Sequence, residues 1–235
     1  MTINDLVVLE DVMKYELTEK TQIVKGATLY RIRALRSFGD VKAGDWGGWI
    51  ESERNLSQKG DAWVSGNARV FGDAQVYGDA QVCGNAWVSG NAQVFGDARV
   101  CGDAQVSGNA WVCGNARVCG DAQVSGNARV FGDAWVSGNA WVSGNAQVSG
   151  DARIKRSSDY LLIGPIGSRE SFTTFYRTEN GISVSCGCFC GTLDEFAAKV
   201  DETHGDNKHG KAYKAAIEFV KQVMNPAEGG SHGTH

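Results

Sequence analysis

Small apolar and polar residues recur with a period of six through the middle of the chain. From Gly60 to Lys155, sixteen hexapeptides of the form Gly-(Asp/Asn)-Ala-x-Val-x follow one another without interruption, as in GNARVF from Gly66 and GNAWVS from Gly84. Ile154 in place of Val is the only departure at the two apolar positions. Ala and Val stand two residues apart, so in an extended segment both point to one side and the x positions to the other. Gly and Asp/Asn then turn a corner, because Gly tolerates unusual dihedrals and Asp/Asn can bond their own backbone there. A fixed short period of this kind predicts a parallel β-helix. Three copies close one triangular coil, so the sixteen copies predict about five coils and, at ~4.8 Å per strand, a prism ~25 Å long.

The flanks follow other periods. KYEL at Lys14 and TLYRIRALRSF from Thr28 to Phe38 alternate around Lys25-Gly26, which predicts a β-hairpin. GDVKAGDWGGWIESERNLSQKGDAWV follows, with Trp46 and Trp49 among glycines beside the first coil. An open β-helix end invites polymerisation through its unpaired edge, so residues 1–59 read as a β-hairpin and an N-terminal cap. After Arg156 the rhythm stops. DYLLIGPIG (Asp159–Gly167) predicts a strand and turn, and SFTTFYRT and ISVSCGCFC flank Glu179-Asn180-Gly181 as a hairpin. Thr192-Leu-Asp-Glu195 is a capping box opening a helix through Leu193, Phe196, Ala197 and Val200. HGDNKHG (His204–Gly210) breaks it, and a second amphipathic helix runs through Tyr213, Ala216, Ile217, Val220 and Met224 to Pro226. Residues 156–225 therefore read as a small α+β domain and 226–235 as a disordered tail.

The hexapeptide pattern resembles the left-handed β-helix of the hexapeptide-repeat superfamily, and the handedness is implied by that resemblance alone. The segment before the repeats resembles the bacterial YdcK-type hexapeptide-repeat proteins through VKAG (Val41–Gly44), GGWI (Gly47–Ile50) and NLSQKGDAWV leading into the first repeat. This likeness covers roughly residues 28 to 155. The repeats here are far more regular, and the C-terminal part differs. Chains of this build also resemble ones of phages and prophages. The YdcK likeness implies a fold and no activity. Many enzymes of the wider superfamily are trimeric acyltransferases with a histidine base near loops that bulge from the coil. The repeats here hold no His and no insertion; the four histidines are His204, His209, His232 and His235. The same absence removes a three-histidine zinc site of the γ-carbonic-anhydrase kind from the coil, and the lack of Thr in the repeats removes an ice-binding face.

Residues eighteen apart should stack. One outward column reads Trp63, Gln81, Arg99, Arg117, Trp135, Arg153, which is either a solvated face that varies freely or a cation–π ladder with Trp135 between two guanidinium groups. A second reads Tyr77, Phe95, Cys113, Phe131, Ser149. Stacked exposed aromatics mark an interaction surface, so Tyr77, Phe95 and Phe131 are expected to pack a homotrimer; coverage by the chain's own terminal segments is the alternative. A third reads Ser65, Cys83, Cys101, Cys119, Ser137, whose parallel thiols are near one another but poorly aimed for a disulfide.

Charge and cysteine content narrow the classes. The formal charge of −4 divides into about zero before Gly60, −2 in the repeats and −2 after them, unlike the basic footprint of a nucleic-acid binder. The N-terminus has acids around a short apolar run, unlike a secretory signal, and no apolar run reaches a membrane span. Seven cysteines, an odd number mostly placed by the repeat, do not form a disulfide framework and suggest a reducing, cytoplasmic setting. Cys186, Cys188 and Cys190, read as one strand, spread over ~13 Å and could not share an ion with bonds near ~2.3 Å. IGPIGSR (Ile163–Arg169), Arg177 and the start of the second helix bring Ser168, Arg169, Arg177 and Lys208 as donors for an anion. No catalytic residue, metal or cofactor is assigned. The expected role is a non-catalytic scaffold displaying its C-terminal domain to a protein partner. Binding or sequestering of a host anionic small molecule such as a signalling nucleotide is the alternative, and a hexapeptide-type acyltransferase the third reading.

Overall fold

The computed structural model describes residues 13–224. The tail at 226–235 and the acidic N-terminal run therefore lie outside the described residues. Each repeat copy contributes one two-residue strand, and these sixteen strands, β4 (Trp63–Val64) to β19 (Arg153–Ile154), stack in parallel on three faces. Ala and Val of every copy are buried. The repeat glycines sit near φ +60 to +72°, and a Cβ at Gly108 would meet the backbone of Gly126 at 3.0 Å, so the corner is closed to other residues. The chain is a parallel β-solenoid of about six turns rather than five. The additional turn comes from sequence outside the repeat. β3 (Trp46–Ile50) pairs in parallel with β5 (Arg69–Val70), and Leu56 bridges to Val76, so Ile50 and Leu56 take the inward place of Val.

β1 (Tyr15–Val24) and β2 (Ala27–Ala34) form the expected hairpin; Lys25 and Gly26 both have positive φ, which matches the strands' right-handed twist. β2 pairs antiparallel with β3, so the hairpin extends one solenoid face into an eight-stranded sheet.

At the other end β20 (Tyr160–Ile166), β21 (Ser171–Thr178), β22 (Gly181–Cys186) and β23 (Phe189–Thr192) make one antiparallel sheet, followed by α1 (Leu193–His204) and α2 (Lys208–Met224). The turn between β21 and β22 is Glu179-Asn180, with Gly181 opening β22 opposite Thr178. The capping box is present: Glu195 N donates to Thr192 Oγ1 at 3.2 Å and Thr192 N to Glu195 Oε2 at 2.8 Å. ISVSCGCFC, read from sequence as one strand, folds back on itself. Gly187 at φ +62 turns the chain, and Cys186 pairs with Phe189 and Ser185 with Cys190 across β22 and β23.

Thr173 to Tyr176 are all buried, without alternation. Tyr176 joins the solenoid core and Phe175 the helix core, so β21 is packed on both faces. Among the described residues no helix is long and apolar enough to cross a membrane.

Candidate functional site

In a parallel solenoid the N–H and C=O groups of each rung point alternately to the coil on either side, so both ends are left with backbone groups to satisfy. At the N-terminal end side chains donate to open carbonyls: Lys14 Nζ to Ala62 O at 2.8 Å, Tyr15 OH to Leu56 O at 2.6 Å, and Asn55 Nδ2 to Gly72 O and Ala74 O at 2.9 Å. At the C-terminal end three side-chain hydroxyls accept from open N–H groups. Trp141 N donates to Ser157 Oγ at 3.0 Å, Ser143 N to Tyr160 OH at 3.2 Å, and Gln147 N to Thr174 Oγ1 at 2.9 Å. The coil thus ends in protein on both sides, and the chemistry left over lies on its outward columns and in the C-terminal domain.

The columns stack in the expected register, with Trp135 between Arg117 and Arg153. The expected cation–π ladder there does not form. Arg153 turns to Glu179 Oε1 at 3.0 Å and to the carbonyls of Asp133 and Asp151, while Trp135 Nε1 donates to Cys119 Sγ at 2.9 Å. Each of four outward Trp leans onto the side chain sixteen residues before it: Phe71 under Trp87, Phe95 under Trp111, Cys119 under Trp135, Ser125 under Trp141. Cation–π contacts occur on the other two faces, with Arg69 over Trp87 and Arg129 over Trp111. Tyr77 and Phe95 stack at 4.9 Å and 2° between planes, and Phe95 meets the Trp111 edge. The continuous aromatic run is therefore Tyr77, Phe95, Trp111; Phe131 lies further along its column, beyond Cys113, and all three aromatics of the expected strip are half-buried. Cys83, Cys101 and Cys119 are free thiols. Burial pushes Cys101 up to about 11, with its neighbours Cys83 and Cys119 adding to the shift, so the Cys101 thiol stays protonated near neutral pH.

Besides an open groove of about 770 Å³ lined by Asp151, Asn180, Ser183, Thr192, Asp194 and Lys221, two clefts flank the C-terminal sheet. The junction cleft, about 440 Å³, lies against the last coil and is lined by Trp135, Arg153, Lys155, Arg156, Asp159, Arg177 and Glu179. Asp159 is 4 % exposed, and its Oδ2 accepts from Lys155 N and Arg156 N at 2.9 Å. Arg177 Nε pairs with its Oδ1 at 3.5 Å. The second cleft, about 430 Å³, opens on the far side, between the β20–β21 turn, the β22–β23 turn and the helices. The first turn supplies Ser168 and Arg169, the second Cys186 and Cys188, α1 supplies Phe196, Lys199 and His204, and α2 supplies Tyr213. A side chain at Gly167 would run into the Tyr213 hydroxyl, which fixes the close approach of turn and helix. Tyr213 OH lies 3.6 Å from Cys186 Sγ. Burial first, then the Cys186 thiol, pushes Tyr213 up to about 12 while Arg169 acts in the opposite direction.

Of the four anion donors expected from sequence, Ser168 and Arg169 meet in this second cleft. Arg177 belongs to the junction cleft, and Lys208 opens α2, exposed and lining neither. Lys199 and His204, which also line the second cleft, were not among the expected donors. Lys199 was legible, because Phe196, Lys199, Val200 and Thr203 share one face of α1; His204 required the fold.

Five segments, residues 62–78, 80–96, 92–108, 104–120 and 122–138, match the family model described as YdcK Beta solenoid repeat. The chain is a β-solenoid repeat protein, similar in its repeats to the YdcK type. All matched segments lie in the coils, and neither flank of the solenoid takes part. No curated protein matches the chain.

Proposed function

We propose that the protein is a non-catalytic oligomeric scaffold whose left-handed β-helix, capped by the N-terminal β segment, presents the C-terminal α+β domain for recognition. One observation carries the reading: β21 is buried on both faces, against the last coil and against the helices. Hydroxyl contacts from Ser157, Tyr160 and Thr174 fasten that seam. A domain joined in this way keeps a fixed orientation on a stiff support, as display requires and as a flexible linker would not provide. The handedness follows the superfamily likeness, and the lack of histidine in the coils speaks for a role without acyl transfer. A reducing, cytoplasmic setting suits seven free thiols. A phage or prophage origin rests on the build of the chain.

Oligomerisation as a trimer is supported by the half-buried stack of Tyr77 and Phe95, continued by Trp111, with Phe131 further along. Light scattering at micromolar concentration should give about three times the 25.1 kDa chain mass, and Phe95→Glu should lower it with the β-sheet signal retained. A 25.1 kDa species for the unaltered protein would sink the trimer. Incubation with acetyl-CoA and amine or sugar acceptors should show no transfer above background; turnover abolished by a single repeat substitution would overturn the scaffold reading.

The second cleft favours a companion reading, in which the C-terminal domain binds an anionic small molecule. Ser168 and Arg169 stand there with Lys199 and His204.

A further inference from the structure

The C-terminal cleft differs in charge from the rest of the chain. Its lining holds Arg169, Lys199 and His204 and no carboxylate, although the chain carries a formal charge of −4. Arg169 is exposed and forms no ion pair among the described residues. Lys199 meets Glu202 at 2.8 Å, an exposed pair of the kind that contributes little and opens readily. The junction cleft is the opposite case, because Arg153, Arg156 and Arg177 each face a carboxylate there.

Below the cations the cleft is aromatic. Phe196 meets Tyr213 edge to face at 5.5 Å, and Phe189 packs on Phe196 at 5.3 Å. An unsatisfied guanidinium above an aromatic floor complements a molecule with an apolar body and one anionic head. A bare inorganic anion gains nothing from the floor, and a neutral hydrocarbon leaves the guanidinium without a counterpart. Resting on the companion reading of this cleft as an anion site, we propose that its ligand is an amphipathic anion, an aryl or alkyl carboxylate, sulfonate or phosphate. The head lies on Arg169, with Lys199 and His204 beside it, and the body on Phe189 and Tyr213.

Two thiols report on occupancy. Cys188 lines the cleft, whereas Cys190 is turned to Ser149 Oγ at 3.2 Å and Tyr176 OH at 3.4 Å, toward the solenoid. The probes are 8-anilinonaphthalene-1-sulfonate, its uncharged counterpart N-phenyl-1-naphthylamine, and inorganic phosphate, each added to the full chain. The sulfonate should bind one per chain and slow alkylation of Cys188 by N-ethylmaleimide, read by peptide mass spectrometry, while Cys190 reacts at its usual rate. Arg169→Ala should weaken that binding about tenfold or more. The uncharged counterpart should bind more weakly and ignore Arg169→Ala. Phosphate binding as tightly as the sulfonate, with the same dependence on Arg169, would overturn the amphipathic class and leave the anion site standing. Sulfonate binding indifferent to Arg169→Ala, or without protection of Cys188, overturns both.

Discussion

Two residues outside the repeat close the prism by the same device. The Asn55 side-chain oxygen accepts from Glu51 N and Ser52 N, and Asp159 accepts from Lys155 N and Arg156 N, in each case three and four residues back. A short polar side chain thus takes up N–H groups where the rung pattern breaks off. Lys14 is the costlier case: its ammonium is buried and its pKa is pushed down to about 8, from 10.5, first by desolvation and then by Arg36. The folded chain therefore releases this proton first. Between about pH 8 and 10.5 the unfolded state binds more protons, and this group adds stability as pH rises. Half-buried Cys101 and the buried Tyr15 and Tyr176 hydroxyls, all held above their ordinary values, act oppositely at high pH. The clean readout is a difference. Urea unfolding should show the native chain gaining on Lys14→Met between pH 8 and pH 10, by at most about 1.4 kcal/mol per pH unit. A difference independent of pH over that range would show that the ammonium is not desolvated at its cost.

A two-residue strand has no stability of its own, so each rung exists only by stacking on the next. Interior contacts are identical from coil to coil, Ala on Ala and Val on Val, which makes the coils interchangeable units with nearest-neighbour energetics. Removing Gly102–Cys119, one full coil, keeps every column in register one rung shorter. That variant should retain its β-sheet circular dichroism and a single cooperative thermal transition at lower temperature. Loss of the fold would mean that the coils are not equivalent. The elements of the C-terminal domain are less uniform. The Cys-Gly-Cys run reads as a strand because its side chains fit one, yet Gly187 takes a positive φ and reverses the chain.

At the scale of the whole molecule, side chains from the flanking segments meet open backbone groups at both ends of the coil. Cationic and amide donors meet carbonyls at the N-terminal end, and hydroxyl acceptors from the C-terminal domain meet N–H groups at the other. A chain ending after Arg156 would expose the N–H groups of Trp141, Ser143 and Gln147 above the inward row of Val142, Val148 and Ile154. Such an edge is a template for a second chain. Light scattering of that truncation should show concentration-dependent association beyond the size of the intact protein. A truncation that stays the same size would mean that the domain is not needed to block end-to-end growth.

The sequence by itself determined the solenoid, because a six-residue period leaves one way to put every Ala and Val inside and every Gly at a corner. It also determined the N-terminal hairpin and both helices, whose turn and capping signals are local. It did not disclose the sixth turn: Ile50 and Leu56 keep the six-residue step, but they lack the Gly-Asp/Asn-Ala letters and stand out of phase with Val64, and they are recruited only by pairing with Val70 and Val76. Nor did it sort the four expected anion donors, which stand on a turn, a strand and a helix start with no shared period to tie them. Tertiary packing decided that Arg177 serves Asp159 at the seam, while Arg169 is left facing an aromatic cleft. Periodic burial is written residue by residue along the chain. The meeting of side chains from two turns and two helices depends on how a sheet buried on both faces settles between a coil and its own helices.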